Sequence, residues 1–385
     1  TVDADNGGGG AAAVDLQGNV GATTPISTFT ASGTPTQVDL ADVIVSGGSI
    51  DVTAANIDLN GTSYTASGVG GQADIVRFAG SVDLDAGAVT ITVRSTGGEE
   101  ADDVSFTSTV DDTGSDNTLQ VGASNGGAAG AGDVTIGGAA GGTNLLGGLT
   151  VDATSEVVSL QGVTTDGGPI RVGTDATTRV GGTVTLNGNL TSHNGAGGAA
   201  GAIGVFGEGI TLGAGATELN SDSAGGTDSD ITIADGAGST TGTSAWVQGL
   251  SLLAGSGTVT YSAADLTSLD HLVISGASAA LGDTSLGDGA NNGDVALSVT
   301  TTGDLTLNGD IDTISDGNTT NAGAIDLSGV SGTIVLDEDG ADNDGAITIS
   351  SDDPTGTDRA ISLGAIEDNG TDVWNLTVSA GSQDV

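Results

Sequence analysis

The sequence predicts an all-β chain wound as a parallel β-solenoid, with Gly-rich turns and essentially no helix. Three observations carry that expectation. A five-residue strand motif recurs along most of the 385 residues. Small residues fill the intervals, with 70 Gly in the chain against the ~7% usual for globular proteins. Large side chains are scarce: only 2 Trp, 2 Tyr and 4 Phe occur, too few to fill the roughly 10 Å space between two packed sheets. High charge and Gly also suit a disordered polymer, but 36% of residues are apolar and fall in short regular runs, which favours order.

In chain order, the first motif is Gly or Ser, a small or acidic residue, then apolar–polar–apolar. It opens at Gly48-Ser49-Ile50-Asp51-Val52 and Gly87-Ala88-Val89-Thr90-Ile91, and continues at Gly132-Asp133-Val134-Thr135-Ile136 and Gly182-Thr183-Val184-Thr185-Leu186. Further copies are Ser229–Ile233, Gly257–Tyr261, Gly293–Leu297, Gly303–Leu307, Gly323–Leu327, Gly332–Leu336 and Gly345–Ile349. Period-2 alternation with β-branched residues reads as a short strand of four or five residues. A second motif, apolar-x-x-Leu-Thr/Ser-apolar-x-Ala, alternates with the first at Leu146–Ala153, Val247–Ala254 and Val373–Ala380, with partial copies at Leu119–Ala123 and Leu269–Ile274. Segments such as Glu156–Leu160 lie between, and Asn-Gly, Asp-Gly and Gly-Gly pairs punctuate the whole. Stacked rungs need tight corners and one inward Val, Ile or Leu per strand, which this pattern supplies. At about 25 residues per rung, one continuous array over 1–385 has roughly 15 rungs and, at ~4.8 Å each, a length of roughly 70 Å.

Leu149–Leu160, the Gly182–Gly188 strand and the Gly303–Gly309 strand resemble filamentous-haemagglutinin-like adhesins and the giant β-strand-repeat surface proteins of bacteria. The resemblance runs from about Ile44 onward and lies at the level of repeats. It implies a right-handed parallel β-helix, secretion, and a structural or adhesive extracellular fibre or stalk at the cell surface. Cell-surface or extracellular-matrix components, glycans among them, are the partners it suggests. The alternative is a self-assembling filament or surface-layer subunit stacking end to end; a polysaccharide-acting β-helix enzyme is the third reading. Both termini fall inside a strand motif, so the chain is expected to be an internal segment of a longer protein.

Charge and composition narrow the chemistry. Fifty acidic residues against five Arg and no Lys give a formal charge of −45, which disfavours phosphate backbones and anionic membranes. Such charge keeps chains soluble and mutually repulsive. No apolar run approaches the ~18–20 residues of a membrane span. The lack of Cys excludes disulfides, thiolate zinc sites, iron–sulfur clusters and cysteine nucleophiles.

The densest acidic stretch is Asp337-Glu338-Asp339-Gly340-Ala341-Asp342-Asn343-Asp344-Gly345. Alternating carboxylates and Gly suit Ca²⁺, so Asp337, Asp339, Asp342 and Asp344 are the candidate metal ligands. The flanking helices and closing Glu of an EF-hand are missing, and a solvated acidic corner is the competing reading. Asp222–Asp230 and Asp352-Asp353 read as surface. His193 and His271 have no recognisable catalytic partner in the sequence, so no enzyme is expected. Trp246 immediately before one copy of the second motif and Trp374 within another occupy similar positions and read as packing. Thr-x-Thr tripeptides at 90–92, 183–185 and 258–260 lack the even spacing of an ice-binding face. Asn-x-Thr sequons at Asn60, Asn189, Asn318, Asn369 and Asn375 would be glycan acceptors in a permissive host.

Overall fold

The computed structural model describes residues 2–3, 12–33, 35–68, 74–95, 103–114, 116–125, 132–152, 155–193, 198–213, 215–236, 240–242, 248–262, 266–287, 295–313, 322–337, 346–352, 359–368 and 375–381. These residues are all-β, with parallel pairing throughout and no helix. The fold is a parallel β-solenoid. The chain divides into two compact units, Thr1–Asn194 and Gly195–Val385.

In the first unit each full rung has three strand segments, and each segment stacks on its counterpart in the next rung. One face runs through Ile50, Val76, Val104, Val134, Val158 and Val184, in steps of 26, 28, 30, 24 and 26 residues. A second runs through Val14, Val38, Ile57, Val82 and Val110, in steps of 24, 19, 25 and 28. The third runs through Val43, Tyr64, Ile91, Val121, Val151 and Val172. These steps bracket the ~25-residue rung expected from motif spacing.

Alternation decides which side chains enter. The inward column Val52, Phe78, Phe106, Ile136, Leu160 and Leu186 is fully or almost fully buried. Its aromatic members stack: Phe78 and Phe106 lie 5.5 Å apart at 28°, and Tyr64 meets Phe78 edge-on at 6.0 Å. Such pairs contribute beyond their buried area. Tyr64 is buried because its hydroxyl is satisfied, donating to Leu40 O at 2.7 Å and accepting from Gly61 N at 3.0 Å. Corners need glycine where the chain turns left-handed under a neighbouring rung. Gly21 (φ 75°) and Gly141 (φ 70°) are such places, and a Cβ there would strike the carbonyls of Ile44 and Thr164 respectively.

The second unit repeats the plan. One face runs through Ile203, Ile231, Val259, Ala279, Leu305, Ile334 and Ile366. Another runs through Thr217, Leu250, Leu272, Leu297, Ile325 and Ile361. The third links Ile210, Thr240, Leu266, Thr284, Ile311, Ile349 and Val378. Val205, Ile233, Tyr261, Leu281, Leu307 and Leu336 form its inward column.

Two local expectations are corrected. Strands of four or five residues are exceeded at Ile50–Leu59, Ile75–Leu84 and Ile203–Leu212, ten residues each, because a strand there carries two faces of one rung in a single run. In the first of these the register shifts between Thr53 and Asn56, where the ladder passes from one face to the next. The motif Gly293–Leu297 directs Val295 and Leu297 inward, but a register shift between them buries Ala296 with Leu297 and leaves Val295 42% exposed. A bulge of this kind breaks the two-residue alternation on which the motif reading depends.

Candidate functional site

The most ordered concentration of ionisable groups is a column on the second face of the first unit. Four triplets there share one form: Val14-Asp15-Leu16, Val38-Asp39-Leu40, Ile57-Asp58-Leu59 and Val82-Asp83-Leu84, with Val110-Asp111-Asp112 beneath them. Val14, Val38, Ile57 and Val82 are buried, as are Leu40, Leu59 and Leu84, so the central Asp of these four triplets points outward, whereas Asp111 below them is buried. The pairing is in register at every step, Asp15 with Asp39, Asp39 with Asp58, Asp58 with Asp83, and Asp83 with Asp111. Parallel stacking therefore sets five carboxylates in a line at the ~4.8 Å spacing of adjacent strands.

Amide side chains bind the upper part of the column. Gln17 Nε2 donates to Asp15 Oδ2 at 2.8 Å, and Gln37 Nε2 donates both to Asp39 Oδ1 at 2.8 Å and to Asp58 Oδ2 at 2.6 Å. At the lower end Asp111 Oδ1 accepts from the backbone N–H of Thr143 at 2.8 Å and of Asn144 at 3.4 Å. Burial, contact with Asp39 and the charge of Asp85 push the Asp58 carboxyl up to about 6, against the pull of Gln37. Asp83 is also raised, by burial first and then by Asp111 and Asp85. Next to Asp15 opens a cleft of about 410 Å³ lined by Asp15, Gln17, Asn19, Asp42 and Asn60 among others. Its polar groups engage one another: Asn19 Nδ2 donates to Asp42 Oδ2 at 2.8 Å, and Asp42 Oδ1 accepts from Thr62 N at 2.7 Å.

A second use of Asp recurs at corners. Asp103 Oδ1 accepts from Asp133 N at 3.0 Å, and Asp133 Oδ1 from Val157 N at 3.2 Å. In the second unit Asp228 takes Ser256 N, Asp230 takes Thr258 N, Asp283 takes Asp310 N, Asp304 takes Thr333 N and Asp310 takes Thr348 N, all at 2.6–2.8 Å. Each bond ties one rung to the following rung. Asp228 is pushed up by burial, but the N–H groups of Ser223 and Ser256 outweigh that and hold it below the ordinary carboxylate value.

The expected site residues are placed as follows. Asp337 follows the strand Thr333–Leu336, with its N–H on Leu307 O at 2.9 Å; Asp339, Asp342 and Asp344 lie outside the described residues. Among the described residues no three His, Asp or Glu side chains form a group able to hold a metal ion. Asp228 and Asp230, expected as surface, lie there and also serve as corner acceptors. His271 does have an acidic partner, contrary to the sequence reading: Nδ1 lies 2.9 Å from Oδ2 of Asp270, which is 1% exposed. Asp270 sits in the bend before the strand His271–Gly276, where strand alternation does not yet separate neighbouring side chains. Among the described residues that ring bonds only Asp270. His193 stands in register with Asp166. Trp246 and Trp374 lie outside the described residues.

The column itself was missed in the motif reading, which followed Gly-led strands. Its signal is plain: a β-branched–Asp–Leu triplet recurs at rung spacing. Compared with protein-family models, curated proteins and solved structures, the chain matches none. Among the described residues no helix is long and apolar enough to cross a membrane.

Proposed function

We propose that this chain is a structural segment of an extracellular fibre or stalk at a cell surface, with an adhesive role toward surface or matrix components such as glycans. The observation that carries the reading is the in-register stacking of rungs in each unit, which lays outward side chains in continuous columns of Asp, Ser and Thr. A surface that repeats along the stacking direction suits spacing and many weak contacts better than one compact chemical site. The charge of −45 keeps such segments apart in solution.

Antibodies against the 385-residue chain, applied to intact source cells, test the location; labelling only after lysis overturns it. Negative-stain images of the isolated chain test the stalk role. Thin rods are expected, and compact particles overturn it. Long polymers of the isolated chain would replace the stalk by an end-to-end filament subunit. Depolymerisation of a glycan panel would replace it by an enzyme.

A further inference from the structure

Asp39 and Asp58 stand opposite each other on the paired strands Gln37–Leu40 and Ile50–Leu59. Gln37 Nε2 lies 2.8 Å from Asp39 Oδ1 and 2.6 Å from Asp58 Oδ2, so the two carboxyl groups flank one amide nitrogen. Two ionised carboxylates placed side by side repel each other, and both are acceptors only; one proton held by the pair removes the repulsion. Gln37 donates to one oxygen of each, which aligns the pair without supplying that proton.

The surroundings add to the demand. Asp15 lies one rung to one side, and Asp83, Asp85 and Asp111 lie to the other. The outward neighbours on the same strands, Gln37, Asn56 and Ser81, are neutral. Arg77 is the one basic residue on the five strands that carry the column, and it is engaged 3.0 Å from Asp51 on a different face.

We propose that Asp39 and Asp58 hold a single shared proton, and that this pair makes the first unit pH-responsive, tightening in mildly acidic surroundings and loosening toward neutrality. The raised Asp58 value, about 6, fits this geometry. In the unfolded chain the same group titrates near about 4. Between those two values the folded chain binds more protons than the unfolded one, so stability falls as pH rises through the window. Below about 4 both states are protonated and the strain is absent; above about 6 the folded chain carries it in full.

The test is a ¹³C-carboxyl titration of the whole wild-type chain, with the Asp58 signal assigned by its loss in Asp58→Asn. A midpoint near 6 is expected; a midpoint below about 4.5 overturns the shared proton. Amide exchange in 38–40 and 57–59, measured at pH 5 and pH 7 at fixed ionic strength and corrected for intrinsic rates, should be slower at pH 5 in wild type. In Asp58→Asn, whose amide supplies the missing donor to Asp39, the two corrected rates should agree. Equal corrected rates in wild type, whatever the midpoint, overturn the coupling to stability. If Asp58→Asn fails to fold, Asp58→Glu, which moves that signal into the Glu carboxyl range, serves for the assignment and Asp39→Asn for the comparison.

Discussion

The two units use one backbone plan with different outward columns. In the first, Asp15, Asp39, Asp58, Asp83 and Asp111 stand in line. In the second, the column through Ser285, Asp312, Ser350 and Ser379 holds one carboxylate among hydroxyls. Asp312 is raised mainly by burial, with a bond to Ser350 pulling the other way. Parallel stacking therefore accepts either column, and side-chain identity sets the electrostatic cost. Aspartate stabilises where it meets a backbone N–H at a corner and repels where it meets its own kind on a strand.

The largest expected effect lies in the core rather than on either column. Phe78→Ala removes the middle ring of the Tyr64–Phe78–Phe106 stack and should cost about 3–5 kcal/mol in guanidinium unfolding of the first unit. A cost below about 1 kcal/mol would mean that the stack is not the first unit's distinguishing support.

Next come the corners. Asp304→Ala leaves Thr333 N–H without its 2.8 Å acceptor and, at this exposed bond, should cost about 0.5–1.5 kcal/mol, while Asp304→Asn keeps an acceptor oxygen and should cost less. Equal costs for the two would refute the acceptor role. Acid acts on these corners with the sign opposite to the column. Asp228, held low, stabilises the fold above its unfolded value of about 4 and loses that contribution as pH falls through its folded value. Acidification from pH 7 to 5 should therefore tighten the first unit through Asp58, whereas acidification below about 4 should loosen the Asp228 corner, as amide exchange at Ser223 and Ser256 would reveal.

Smaller still is the effect of building a column where none exists. Ser350→Asp places a carboxylate opposite Asp312 and should cost about 0.2–1 kcal/mol at pH 7. The cost should shrink with added salt. No cost at low salt would show that stacked carboxylates are tolerated equally in both units. The smallest change is expected from Arg77→Ala. Its partner Asp51 lies at 3.0 Å, but the two side chains are 41% and 35% exposed, so thermal unfolding should register about 0–1 kcal/mol.

Much of this architecture was legible in the sequence by itself. Apolar alternation in stretches such as Val134-Thr135-Ile136 and Leu305-Thr306-Leu307 determined strands with one buried edge, and the small residues between them determined tight corners. Rung length followed from motif spacing, because each strand must return to the same face. The Val/Ile-Asp-Leu triplets were equally local, yet their meaning was not. A triplet shows only that its Asp faces outward; pairing register decides that Asp39 and Asp58, 19 residues apart, meet side by side. The same holds for Asp304 and the N–H of Thr333, for Asp270 beside His271, and for the bulge that turned Val295 outward. Alternation is a property of the chain within one strand. Register, bulges and corner bonds are properties of contact between rungs, and only the tertiary structure brings those rungs together.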